Sequence, residues 1–424
     1  MLLARNRVLF PLVMAAACGG DAEPGPQIVV RDSAGIEIVE SSAERWTADE
    51  AWLVQSEPRV RIGLTEGAPE YLFSNIEGAL LLADGRIAVA DRGSSELRFY
   101  TADGVFERAI GGPGEGPGEM GYIRDLGRCG ADSLFVFEID FTNVVFTASG
   151  DYVREARPYE GDSRLRRPYA LRCATNGHYA AVGWENLDGP RSIGFYRAES
   201  DVWILAPTHA SHSTAAESVP GASLAFTAEL GTMLSSERIG HVNGSRPHPF
   251  GRALRFAVSE DAVYLGTGEA FELRRYSWVG HLDRLIRWPG TDLTIRDTDL
   301  AAYRAAQLDS VSPDARPALE RTLMDMPMPP AFPAFQRIEV DPEGNLWIEE
   351  FRRPGQLDHR WIVIHPDGAL LGTVALPGEL VVFDIGSNAI IGVTRDALGV
   401  ERVQVHDLHR PSDGRHSNGV EPAR

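Results

Sequence analysis

Strand-sized segments with alternating apolar residues recur along all 424 residues, punctuated by Asp-Gly-like turns, and this periodicity restricts the fold more than any other feature. The clearest unit holds four segments, Ala79–Leu82, Arg86–Ala90, Glu96–Tyr100 and Val105–Ile110, with Asp84-Gly85 and Asp103-Gly104 as tight turns after the first and third. It predicts a four-stranded antiparallel meander. First turns return at Asp84, Ala131, Asn176, Glu260, Glu343 and Ser387, at intervals of 47, 45, 84, 83 and 44 residues. Second turns are expected at Ser149-Gly150, Glu199-Ser200, Val279-Gly280 and Asp367-Gly368. A repeat of about 45 residues therefore occurs six times and is expanded twice. The expansions could hide two further units, but 208–249 and 290–335 lack the paired turns and read as insertions. The second reads as helical, with LAAYRAAQL followed by a new start at Ser312-Pro313 and an end at MPMPPAFPAF.

The last copy supplies only three strands. Arg59–Gly63, followed by a Glu-Gly stretch, mirrors Arg108–Gly111 and its own Glu-Gly stretch, so the amino-terminal strand is expected to complete the last sheet and close a ring. The expected fold is all-β: a six-bladed β-propeller over 28–411 whose helical insertion lies between blades four and five. Ile28–Val39 is expected as an extra strand or hairpin along an edge.

Hydrophobic residues (43%) and charged residues (24%) fit a folded globular chain and exclude both wholesale disorder and a multispanning membrane protein. The formal charge of −19 repels phosphate backbones and removes nucleic acid from the list of partners. Every basic residue is Arg, which excludes chemistry needing a lysine amine, such as a Schiff base or a Walker-type phosphate loop.

At the amino terminus, Arg5 and Arg7 precede a short apolar run, Val8–Ala17, which ends in Ala15-Ala16-Ala17-Cys18 before a Gly/Pro-rich stretch. This resembles the lipobox of bacterial lipoproteins, with Ala15 where that family prefers Leu. The resemblance implies a signal peptide over 1–17, lipidation of Cys18, a tether over 18–27 and an extracytoplasmic protein touching the membrane through its lipid alone. Gly19 after the cysteine points to the outer membrane or periplasmic side. Residues 412–424 are expected as a disordered tail.

The stretch VADRGSSELRFYTADGVFERAIGGPGEGPGEM resembles an NHL-type repeat, and the region from Trp52 to Leu408 is similar to the six-bladed propeller lipoproteins of bacteria. That resemblance specifies a fold much better than a function.

In such a propeller the connectors between blades and the loops joining second and third strands share one face, which also receives both insertions. On it stand Arg92, Glu138, Asp140, Asn143, Glu185, Glu269, Arg353 and Arg395, the candidate binding residues. Converging carboxylates there suit Ca²⁺, a cation that takes six to eight oxygens, while the Asp of VAD (Asp91) suits a loop-ordering acceptor. No Gly-x-Ser-x-Gly elbow, His-Glu-x-x-His or complete EF-hand loop occurs; DPEGN at Asp341–Asn345 is one turn of the last. His209 with His212 and His406 with His409 read as surface pairs, and no catalytic residue is assigned. Cys129 and Cys173 occupy corresponding places in blades two and three, which suits either a disulfide or two buried thiols. The expectation is a monomeric ligand-binding or scaffold module whose partner is a small molecule or an envelope protein. The alternative is an enzyme with a channel metal, similar to the Ca²⁺-dependent propeller lactonases.

Overall fold

The computed structural model describes residues 28–114, 116–130, 132–158, 168–185, 194–208, 222–241, 244–356 and 359–411. The segments expected as signal peptide, tether and tail, with Cys18, His209 and His212, lie outside them. The described chain is all-β apart from the short helices Asp297–Asp309 and Arg316–Met324 within the second insertion. Among the described residues no helix is long and apolar enough to cross a membrane.

The strands form antiparallel meanders of the predicted kind. The first runs through Ile76–Leu81, Ile87–Asp91, Glu96–Tyr100 and Phe106–Gly111. Its turns fall at the two Asp-Gly pairs, where Gly85 and Gly104 adopt φ of +88° and +81°, a region costly for any residue with a Cβ. The second meander spans Ile123–Pro158 and the third begins at Pro168–Cys173 and Tyr179–Gly183; the fourth spans Arg255–Arg287, the fifth Phe335–Leu376 and the last Val381–His409. Val60–Ile62 pairs with the final strand, Val403 opposite Ile62 and Val405 opposite Val60, as the mirrored sequence predicted.

Burial explains the repeat's grammar. The second strand of each meander is almost wholly buried, as in IAVAD, YAAVG and AVYLG, because neighbouring sheets cover both its faces. A fourth strand such as FERAIG alternates between half-buried and exposed because only one face is covered. Hydrophobic clusters lie between consecutive sheets, and one joins Ile391 and Val403 of the last meander to Val89 and Tyr100 of the first. The first strands also sit side by side: Ile76–Leu81 contacts both Ile123–Arg128 and Val381–Ile385. This radial stacking of meanders is the architecture of a β-propeller.

Two regions depart from the expected pattern. Glu199 and Ser200 make no turn; they lie inside the 15-residue strand Gly194–Thr208, which pairs with the 20-residue strand Ala222–His241. Residues read as an insertion therefore serve as the outer strand of the third sheet. Three parallel pairs, from Ala156–Ala222 to Pro158–Leu224, join it to the second sheet. The turn expectation failed because the repeat length was carried across a hairpin that is simply longer than its siblings. The leading segment forms a hairpin, Ile28–Ser33 with Ile36–Ser41, whose second strand runs parallel to Leu282–Arg287 on the edge of the fourth sheet.

Candidate functional site

The first strands of the meanders enclose a cavity of about 1620 Å³, lined by side chains of all of them from Leu80 round to Ile385. Its upper end is the one at which the sheet-to-sheet connectors emerge, so it opens on the predicted binding face. A shared irregularity shapes this end. In five first strands the ladder slips by one residue near the start, leaving Glu77, Arg124, Tyr169, Gln336 and Phe383 as the extra residue of a β-bulge. A bulge breaks strict alternation and re-aims one side chain. Four of these five line the cavity; Glu77 instead pairs with Arg92 at 2.6 Å.

The strands also bring charge inward. Arg124, Arg128, Arg172, Arg255 and Arg337 line the cavity from first strands, against the carboxylates Asp125, Glu339 and Asp384. Toward the lower end one cross-sheet pair stands out. Both Arg128 guanidinium amines donate to Asp384, at 2.6 and 2.7 Å, and Asp384 also accepts the Leu81 N–H at 3.0 Å. Halfway up, Arg172 pairs with Asp125. Burial pushes the Glu339 carboxyl above its usual range.

The upper end is less compensated. Arg337 stands 3.6 Å from Glu349, which also accepts from Gln336 at 2.5 Å and meets buried His359. Arg124 and Arg255 make no ion pair among the described residues. Arg124 lies over the Tyr169 ring at 4.7 Å and farther, at 6.0 Å, from its edge-on partner Trp184, the two rings being 5.2 Å apart. Tyr169 and Trp184 remain 49% and 46% exposed, unusual for a large aromatic pair in a cavity wall. Arg255 opens onto the same space, and enclosure by the channel walls together with the Arg337 charge pushes its guanidinium below the usual range.

The predicted binding residues share this face but are spent on local order. Arg92 stacks on Tyr122 at 4.5 Å. Glu138 is buried and accepts the Gly121 N–H at 2.6 Å; burial, then the Asp140 and Glu155 charges, push its carboxyl up to about 7. Asp140 accepts both the N–H and the hydroxyl of Thr142, and Asn143 donates to the Tyr179 hydroxyl at 3.0 Å. Glu185 binds Ser236 and Arg238, Glu269 pairs with Arg197 at 2.8 Å, Arg353 donates to the Asp292 carbonyl over Phe332, and Arg395 pairs with Glu401. These residues do not converge on one point. Among the described residues no three His, Cys, Asp or Glu side chains are grouped to hold a metal ion. The DPEGN carboxylate, Asp341, is filled by Asn345, the Trp347 indole N–H and Arg410, which makes that turn a structural clasp. Asp91 orders its loop by accepting from the Ser74 N–H and the Ser94 hydroxyl, both at 2.9 Å. Cys129 and Cys173 are joined as a disulfide between the second and third meanders, with Cα atoms 4.9 Å apart.

Sequence reasoning missed Arg124, Tyr169, Trp184, Arg255 and Arg337. A signal was present: RDLGR, PYALRC and QRIEV place charges in strands that a packed core would keep apolar.

No protein-family model matches the chain, and a search of curated proteins finds no match. Solved structures are similar in architecture. One is a protein of Bacteroides fragilis described as exported, 12% identical, covering 88% of this chain and 99% of its own at a TM-score of 0.45. Others are a catalytically inactive virginiamycin B lyase from Staphylococcus aureus with quinupristin (12%, 84% and 99%, 0.38) and the calcium-binding protein regucalcin from Agrobacterium tumefaciens (12%, 80% and 92%, 0.36). At these identities and scores the neighbours lend this chain neither a ligand nor an activity.

Proposed function

We propose that this protein is a lipid-anchored, extracytoplasmic six-bladed β-propeller that binds a small molecule in its central channel without catalysing a reaction. The observation that carries the binding role is the cavity of about 1620 Å³ whose upper wall presents bulged side chains and exposed aromatic rings. Pockets that hold small ligands are concave, mostly apolar and furnished with a few directed polar groups. Closure into six blades is supported by the pairing of Val60–Ile62 with the last strand and by the cluster joining last and first meanders. The anchor rests on Cys18 and the run before it, and a monomer is the expected state.

The test is a thermal-shift screen of small molecules on the purified protein, repeated on Ala170→Trp, which sets an indole into the channel from a first strand. Compounds that raise the melting temperature of the parent but not of the variant support channel binding. Compounds that stabilise both equally place the site elsewhere and end this reading. Stoichiometric Ca²⁺ in elemental analysis would replace it with the metal-enzyme alternative. Labelling of the intact chain by an alkynyl fatty acid, lost in Cys18→Ala, checks the anchor.

A further inference from the structure

The ligand's chemistry can be read from what the upper channel lacks. Five arginines face three carboxylates along the first strands, in a chain whose formal charge is −19. Over the whole lining, seven arginines stand against eight carboxylates, so the cavity is close to balance and the upper end is distinguished by which of its cations lack an ion pair. The lower arginines are satisfied by Asp384 and Asp125. Arg124 and Arg255, at the upper end with Tyr169 and Trp184, make no ion pair among the described residues. Arg124 stacks on the Tyr169 ring, and Arg255 lines the same cavity from the neighbouring first strand. A guanidinium that makes no ion pair keeps its paired N–H donors available to a ligand that brings a carboxylate.

We infer that the upper channel binds a small molecule carrying an aromatic ring and a carboxylate, the ring against Tyr169 and Trp184 and the carboxylate on Arg255 and Arg124. This deepens the channel-binding reading and rests on it. A guanidinium offers a carboxylate two parallel hydrogen bonds, which lysine cannot match and which fits a chain without lysine. The exposed Tyr–Trp pair offers an edge-and-face platform to a flat ring but little to an aliphatic chain of equal charge. The cavity exceeds the few hundred Å³ that a single ring requires, so the aromatic acid accounts for its upper wall and leaves the lower channel to the remainder of the molecule.

Isothermal titration of the purified protein with three probes tests the inference: indole-3-acetate, its neutral alcohol analogue tryptophol, and the non-aromatic anion cyclohexylacetate. Indole-3-acetate is expected to bind at least tenfold more tightly than either other probe. Arg255→Gln should remove its advantage over tryptophol, and Tyr169→Leu should remove its advantage over cyclohexylacetate, with the unliganded melting temperature of both variants within two degrees of the parent. If tryptophol binds as tightly as indole-3-acetate, or if the advantage persists in both Arg255→Gln and Arg124→Gln, the anion assignment is wrong. Absence of binding by all three probes overturns the aromatic-acid inference, while the Ala170→Trp comparison decides independently whether the channel binds anything.

Discussion

The two ends of the channel carry the same residue type and use it in opposite ways. At the lower end Arg128 reaches across from the second meander to Asp384 of the last, and the shared carboxylate also caps the Leu81 N–H of the first. That arginine is a fastener between three sheets. At the upper end Arg255 has a side chain of the same length on an equivalent strand, yet meets no carboxylate among the described residues and faces open space. The difference separates charge placed for cohesion from charge left for a ligand. The same contrast holds for carboxylates, since Asp341 is saturated by Asn345, Trp347 and Arg410 whereas Glu138 is held by a single backbone N–H.

The largest effect should come from breaking the lower end. Asp384→Ala removes the counter-charge of Arg128, leaving its guanidinium only the Leu81 carbonyl, and orphans the Leu81 N–H, so it should lower stability by about 2–4 kcal/mol in a urea melt. A neutral result would erase the distinction between the two ends. The disulfide is the covalent counterpart of this fastening, closing a sequence separation of 44 residues. Cys129→Ala with Cys173→Ala should cost about 2–4 kcal/mol, and reducing agent should lower the melting temperature of the parent but not of the double variant.

A smaller, pH-dependent effect sharpens the comparison on the upper face. The Glu138 carboxyl is raised to about 7 in the folded state, so the fold binds a proton there that the unfolded chain has released. Its contribution is fully present below the ordinary glutamate range and is lost as pH rises through about 7. Glu138→Gln, neutral at every pH and still able to accept the Gly121 N–H, should add about 1 kcal/mol at pH 8 and nothing at pH 4. Equal melting temperatures of variant and parent at pH 8 would show that Glu138 is not strained. The smallest effect is expected at Arg255: with no partner to abandon, Arg255→Gln should change stability by less than about 0.5 kcal/mol. A loss as large as that of Asp384→Ala would make it a fastener too.

The repeat was legible because each strand's burial follows from its place in a meander. A second strand covered on both faces must read as IAVAD or YAAVG, and a turn that needs a positive φ must read as Asp-Gly. Such constraints are local and survive in a single sequence. The helices of the second insertion were readable for the same reason, through Ser312-Pro313 and the proline run that stops them. The site was less legible. Arg92, Glu138 and Arg395 were read as candidate binding residues, but whether a polar side chain is spent on a neighbour depends on the folded contacts, near or far in sequence. Arg395 meets Glu401 six residues on, whereas the Arg128–Asp384 pair spans 256.

The amino-acid order therefore dictates the meanders, their turns and the apolar faces that press them together, since each depends on neighbours within one repeat. Which first strands stand side by side and which cations find a counter-charge are settled only when distant repeats meet. Electrostatic compensation is a property of distances across the channel, and the chain acquires those distances by folding.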